Sequence, residues 1–531
     1  MRTFRLKLFL ILLMVIVLVS PTCTTPTLVR AEGDTPYWPE KEWRTSTPEE
    51  QGMDSDILLK GLPSSSDLLL DGHSIVVIRH GYMVLEASAY PFSASKPQGF
   101  RDAAEPVMAT LIGIAIDKGY IKSVDQSIWD FLPKENIALM NDNKAALTIK
   151  HLLNGQTGLA YSWGDDAEKY YPLTEKDQDW VQVFLSAPAS DKPGTRTKWL
   201  YGDALVLSAI LQKATGRTAL EFAKQYLFGP LGITDVAWST TPQGVTIGAD
   251  ELYLSPCDMA KFGYLYLHNG QWVDQQIVSA DWVKTATSQQ VTQPYDDWRW
   301  GYSWWTGQFK PTSYTGYWQA GAGGQYIWVI PELDLIAVTA GYGTTQPVLN
   351  DFLLPAVKSS TALPANAEAT ARLTAKVQAL ANPASSAVEP IPAEAKAAAG
   401  RIYTLEDNAL GWKSISVDFG TEEATLTLNV ADRTLKLPVG MDNIYRISAD
   451  GLPATPSLFR LSEIAPLALK GRWTKGFTVI MVELRGRDTW IINLAFQTSN
   501  EIKLEVRLSG IALSSGHVVG KELVKIKGVA Q

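Results

Sequence analysis

Two pairs of apolar, β-branched runs stand at opposite ends of a helical stretch, and that separation limits the folds open to this chain. Ser74-Ile75-Val76-Val77-Ile78-Arg79 leads through His80-Gly81-Tyr82 into Met83-Val84-Leu85-Glu86, which reads as two strands joined by a glycine turn. Tyr326 to Pro331 and Leu333 to Ala340 read as a second pair, turning at Pro331-Glu332. Between the pairs, Ala109 to Lys118 reads as a helix capped by Gly119. Leu205 to Ala214 and Ala219 to Tyr226 read as helices separated by Thr215-Gly216. Strands at both ends with helices between them predict an α/β (α+β) layout, a sheet flanked by helices, and exclude a parallel βαβ series.

The chain has 531 residues, too many for one compact domain. Residues 361–398 shift in composition: a polar, Ala-rich helix from Ala367 to Ala381 runs into Asn382-Pro383-Ala384-Ser385-Ser386 and Glu389-Pro390-Ile391-Pro392. That reads as a linker, semi-rigid where proline is dense. Beyond it come short strands, among them Ser414 to Phe419, Ala424 to Val430, Thr434 to Leu437, Phe477 to Leu484 and Trp490 to Phe496. Their regular turn signals predict a small all-β barrel or sandwich over 399–528.

The first residues read as an export signal. Arg2, Arg5 and Lys7 precede an apolar run from Leu8 to Val19, and Val29-Arg30-Ala31 offers a small-residue cleavage site. The apolar run is shorter than the ~20 residues a membrane-spanning helix needs. The expectation is a signal peptide over 1–31, cleavage after Ala31 and a secreted or periplasmic protein. Lipid anchoring through Cys23 is the rival, but Leu18-Val19-Ser20-Pro21-Thr22 fits a lipobox poorly. Loss of Cys23 leaves Cys257 alone, so no intrachain disulfide is expected. No later stretch reads as a transmembrane helix. The net charge of −8 is spread along the chain without a basic run, which argues against nucleic acid as a partner.

Four collinear segments carry a resemblance. They are Trp43 to Met53 (WRTSTPEEQGM), Leu111 to Ile121 (LIGIAIDKGYI), Ile149 to Leu159 (IKHLLNGQTGL), and Gly321-Ala322-Gly323-Gly324-Gln325-Tyr326-Ile327 followed by Val329-Ile330-Pro331. Together they resemble the serine hydrolases that include class C β-lactamases, esterases of the same fold and DD-peptidases. The resemblance covers roughly residues 40 to 350. It implies a β-lactamase/transpeptidase-like domain over 35–358, with an antiparallel sheet flanked by helices, and a barrel-like appendage seen in some members.

The resemblance also implies a chemistry whose residues are missing. Family members carry S-x-x-K at the head of the central helix, where the dipole favours developing negative charge and Lys can relay the Ser proton. Counted back from Leu111, those positions are Asp102 and Glu105. A carboxylate presents no hydroxyl for acylation, and two anions oppose an oxyanion. Trp199 stands at the tyrosine position of the second motif, with Tyr201 two residues on; Trp has a donor but no titratable oxygen. The third motif keeps Gly321, Gly323 and Gly324, but Gln319-Ala320 supplies no Lys or His ahead of them.

Several readings of these positions stay open. Asp102 and Glu105 fit a capping box, although Pro106 would then fall at the fourth helical position; a helix starting later, with Pro106 at its first position, avoids that conflict. An acid–base pair as in glycosidases needs carboxyls on opposed faces of a sugar, which residues three apart on one helix do not supply. The five histidines, His73, His80, His151, His268 and His517, show no ligand spacing, so neither metal nor cofactor is expected. Eighteen tryptophans include the cluster Trp298, Trp300, Trp304 and Trp305, and in relatives the segments bearing Trp163, Trp199 and Trp318 border the pocket. Those rings serve either as an aromatic ligand-binding wall or as core packing. The candidate ligand-binding set is Asp102, Glu105, Trp163, Trp199, Tyr201, Gly321, Gly323 and Gly324. The expected function is an exported, catalytically inactive homologue that binds a small molecule, peptide or cell-wall fragment. The rivals are a residual esterase, amidase or β-lactamase-like hydrolase using Tyr201 or another group in a rebuilt site, and an interaction module worked by the C-terminal β domain.

Overall fold

The computed structural model describes residues 37–39, 41–63, 72–160, 178–198, 201–292, 299–321, 323–341, 348–453, 466–486, 489–509 and 520–531. The expected signal peptide, Cys23, Trp163, Trp199 and Trp298 lie outside them.

Among the described residues, eight antiparallel strands form one sheet. In spatial order they are Tyr82–Ser88, Ser74–Arg79, Leu335–Ala340, Gln325–Ile330, Thr315–Gly321, Trp305–Gln308, Arg299–Trp300 and Val291–Thr292. The two distant strand pairs therefore lie side by side towards one edge, where Val76 lies opposite Val338 and Val338 opposite Ile327. Successive side chains of a strand point to opposite faces, and both faces are covered. Val76, Ile78, Ile327, Val329, Ile336 and Val338 join the core that holds the helix Glu105–Asp117. Ile75, Val77, Trp328, Ile330, Leu335 and Ala337 join a second core with Leu58, Leu373 and Leu380. Burial on both faces is why these strands read as unbroken apolar runs rather than alternating ones.

The helix Glu105–Asp117 is buried without interruption from Glu105 to Ala115. A helix that is apolar on all sides has no solvent face to offer, so it runs through the middle of the domain. The helix Tyr201–Thr215, buried from Tyr201 to Leu211, packs against it. Close approach is enforced by small residues: a Cβ on Gly113 would lie 2.5 Å from the Trp282 ring.

The Ala-rich stretch forms the expected helix, Ala367–Ala381, capped by the Asn366 side chain. It is not a free tether. Ala369, Leu373 and Leu380 are buried, and the helix lies against Ser55–Lys60 and Tyr82–Ser88. Its polarity belongs to the outward face only.

The C-terminal part is a closed nine-strand barrel, the barrel alternative of the sequence reading. Its strands are Tyr403–Leu405, Trp412–Phe419, Glu423–Val430, Arg433–Gly440, Leu467–Trp473, Phe477–Glu483, Thr489–Phe496, Glu501–Ser509 and Gly520–Ala530. A single parallel pairing, Gly440 with Lys470, closes the ring, and Arg446–Ser448 adds a short flanking strand. Inward positions such as Leu426, Leu428, Leu437, Val479, Ile492, Leu494 and Leu504 fill the interior.

Candidate functional site

A 3-10 turn, Arg101–Ala104, delivers the chain into the central helix, which begins at Glu105 with Pro106 in its first turn. This corrects the capping-box reading. Neither Phe100 nor Ala104, the residues preceding the turn and the helix, makes a side-chain cap. Proline lacks an N–H and disfavours helical geometry just before it except in the first turn. The structure accordingly starts the helix one residue ahead of Pro106, close to the later-start alternative. Asp102 is left in the 3-10 turn, half-buried, and Glu105 stands at the head of the helix, only 4% exposed.

The third motif faces this turn. Gln319, 1% exposed, directs its Nε2 to within 3.4 Å of both the Asp102 carbonyl oxygen and Glu105 Oε2. Its own Oε1 accepts from the Ala320 N–H at 3.0 Å. Sequence reasoning marked Gln319 only as a missing Lys or His. Its contact with Glu105 depends on strand register, which motif counting does not reveal.

Gly321 ends that strand against the turn. A Cβ there would lie 2.6 Å from the Phe100 carbonyl oxygen and 3.3 Å from the Ala103 nitrogen. Gly323 and Gly324 take φ values of 98° and 85°, which favour glycine. The survival of these glycines thus has a backbone cause that does not depend on catalysis.

From the second motif, Tyr201 begins its helix and is buried, 7% exposed. Two residues on, Asp203 was not singled out from sequence, because one acid in an apolar helix does not reveal its depth. It is buried, and neither carboxyl oxygen has a hydrogen-bond partner among the described residues. Burial raises its pKa well above the ordinary carboxylate range.

The described tryptophans of the aromatic cluster are mainly packing residues. Trp304 is fully buried with Tyr266 and Tyr317 at centroid distances of 4.9 and 5.2 Å. Trp300 donates to the Leu153 carbonyl at 3.3 Å and meets Trp305 edge-on at 4.7 Å. Trp318 packs on Phe309 in the second core, on the face of the sheet away from the central helix. Among the described residues no group of three or more His, Cys, Asp or Glu side chains is placed to hold a metal ion. His151 closes a capping box with Thr148, and His80 sits in the first hairpin with φ 50°.

The site is therefore a helix head with two carboxylates, an amide across from them and a glycine-walled strand edge. A family model described as Beta-lactamase matches residues 70–341, just over half of the chain. The chain belongs to the beta-lactamase family. Within this serine hydrolase family the chain is 34% identical to lovastatin esterase from Penicillium rubens over 96 residues, 17% of this chain and 23% of that protein. It is 28% identical to esterase EstB from Burkholderia gladioli over 185 residues, 31% of this chain and 46% of that protein. The matched stretches thus span a quarter to a half of these curated relatives. A penicillin-binding protein homologue from Pyrococcus abyssi, described as octameric, aligns over 83% of this chain and 95% of its own, with 16% identity and a TM-score of 0.46.

Proposed function

We propose that this beta-lactamase-family protein is an exported, non-catalytic homologue whose cleft holds a small molecule, a peptide or a cell-wall fragment. The observation that carries the reading is the pair Asp102 and Glu105 at the head of the central helix, where the family's reaction needs a hydroxyl nucleophile and a cation. The facing strand brings the Gln319 amide to 3.4 Å from Glu105. An amide neither takes up a proton near neutral pH nor replaces an ammonium charge. Negative charge at a helix N-terminus is favourable in the resting protein. The same charge raises the energy of an oxyanion formed nearby.

The second reading is a residual hydrolase acting on an ester or amide; the curated relatives named above are esterases by name. Tyr201, buried at the start of its helix, is the described side chain that supports it. Mass spectrometry of the mature protein after incubation with a fluorophosphonate, a labelled penicillin and activated esters separates the two. An unmodified mass with no turnover supports the non-catalytic reading. An adduct mapped to one residue overturns it and names the nucleophile.

Export is tested on the same sample. Cleavage after Ala31 leaves Glu32 as the first residue, whereas retention of Arg2 to Val19 in the mature chain contradicts a cleaved signal.

A further inference from the structure

We propose that the C-terminal barrel is a built-in clamp on the turn that carries Asp102 and leads into Glu105, so that the geometry of that turn is a property of both parts of the chain. Two contacts made by one strand pair of the barrel, Leu467–Trp473 with Phe477–Glu483, carry the argument.

The first is an apolar joint. Ala468, Ile480 and Val482 from the barrel strands, with Tyr445, pack against Ala89 and Phe92, and Tyr90 and Leu484 border the cluster. The Tyr90 hydroxyl donates to the Tyr445 carbonyl at 3.0 Å. Behind the joint, Phe92 stacks on His73 with ring centroids 3.8 Å apart. Arg101 lies near enough to His73 for its positive charge to oppose protonation of the imidazole.

The second contact is made just past the end of the same strand pair. A Cβ on Gly99 would lie 3.1 Å from the Arg485 carbonyl oxygen and 3.4 Å from the Tyr253 ring. A side chain at position 99 would thus crowd the barrel's Arg485 carbonyl on one side and meet Tyr253 at contact distance on the other. The Arg485 guanidinium also lies 3.5 Å from Asp235, an exposed pair worth little by itself. The segment 89–101 is gripped at both ends, near Ala89–Phe92 and at Gly99.

What the grip holds is strained. Arg101 has φ 48°, in the left-handed region that costs a residue with a Cβ about 1–2 kcal/mol. Such a conformation persists where the surroundings over-determine it. The next residue is Asp102. The clamp applies whether the cleft binds a ligand or turns one over, so it stands apart from the proposed function.

The test is hydrogen–deuterium exchange on the full chain carrying Ile480→Ala, which loosens the joint from the barrel side. The expected result is exchange about tenfold faster at the amides of 99–104, with Leu205 to Leu211 unchanged. Faster exchange at 89–92 with no change at 99–104 overturns the proposal. Should Ile480→Ala speed exchange everywhere, Tyr90→Phe decides, since it removes one hydroxyl and little volume. Faster exchange confined to 89–104 in that variant supports the clamp, and unchanged exchange at 99–104 overturns it.

Discussion

Gln319 Nε2 and Glu105 Oε2 stand 3.4 Å apart, joining the third motif to the first through a neutral donor and a buried carboxylate. The distance is longer than the 2.7–3.2 Å of a well-formed N–H···O bond. The coupling is accordingly modest. A double-mutant cycle with Glu105→Gln and Gln319→Leu, read by urea unfolding, should return about 0.5–1 kcal/mol. A value of ~3 kcal/mol, the scale of a strong hydrogen bond to a charged group, would contradict this geometry.

Asp203 and His73 predict opposing pH effects on stability. The folded pKa of Asp203 is raised by burial, so the native state binds more protons than the unfolded chain above pH ~3.9, and stability falls as pH rises until the folded pKa is passed. His73 is lowered to about 4, chiefly by burial and further by Arg101. The unfolded chain therefore binds more protons there, and stability falls as pH drops from ~6.5 to about 4. Between those limits the two slopes, each up to about 1.4 kcal/mol per pH unit, oppose one another for as long as the pH stays below the folded pKa of Asp203. Asp203→Asn removes one of them. Its stability should climb from pH 4.5 to 6.5 in urea melts while the parent's changes less over that range. Parallel curves for the two proteins would show that Asp203 is not held neutral by the fold.

Gly321→Ala tests why the glycines of the third motif remain. The added methyl must displace the Phe100 carbonyl, 2.6 Å away, which belongs to the backbone and cannot swing aside. The expected loss is about 1–3 kcal/mol, measured by chemical denaturation. A neutral result would point away from packing as the reason.

Trp304 separates core from cleft. Fully buried among Tyr266, Tyr317 and Phe262, it should cost about 3–5 kcal/mol when replaced by Ala. A change under 1 kcal/mol would favour the aromatic-wall reading of the tryptophan cluster over packing for Trp304.

Much of the architecture was legible because it rests on local pattern. The strand Ser74–Arg79 and the helix Ala367–Ala381 fall where periodicity places them, and the barrel strands from Trp412 onward differ mainly at their ends. The carboxylates Asp102 and Glu105 were singled out by counting from an apolar helix, and the structure puts Asp102 in the turn before it and Glu105 at its head. What escaped depends on distance in space. The pairing of Gly321 with Gln325 belongs to a local hairpin, but the approach of Gln319 to Glu105 spans 214 positions of chain. The helix start was left open between a capping box at Asp102 and a later start set by Pro106, and the structure falls close to the later one. The docking of the linker's helix did not show in its composition, because the helix is polar on the outside while three buried positions hold it down.

That last feature decides how the chain should respond to a protease. Composition marks the whole of 361–398 as a soft target, yet cleavage needs several residues to unwind into an extended form. The helix Ala367–Ala381 resists that, because unwinding exposes Leu373 and Leu380. The non-helical, largely exposed residues 382–390 are where a nick should fall. Cutting there severs the covalent path without touching the Ala89–Phe92 joint or the approach of Arg485 to Gly99. The two fragments should then migrate together until denatured, so a clean pair of bands on a denaturing gel is no sign that the parts live separate lives.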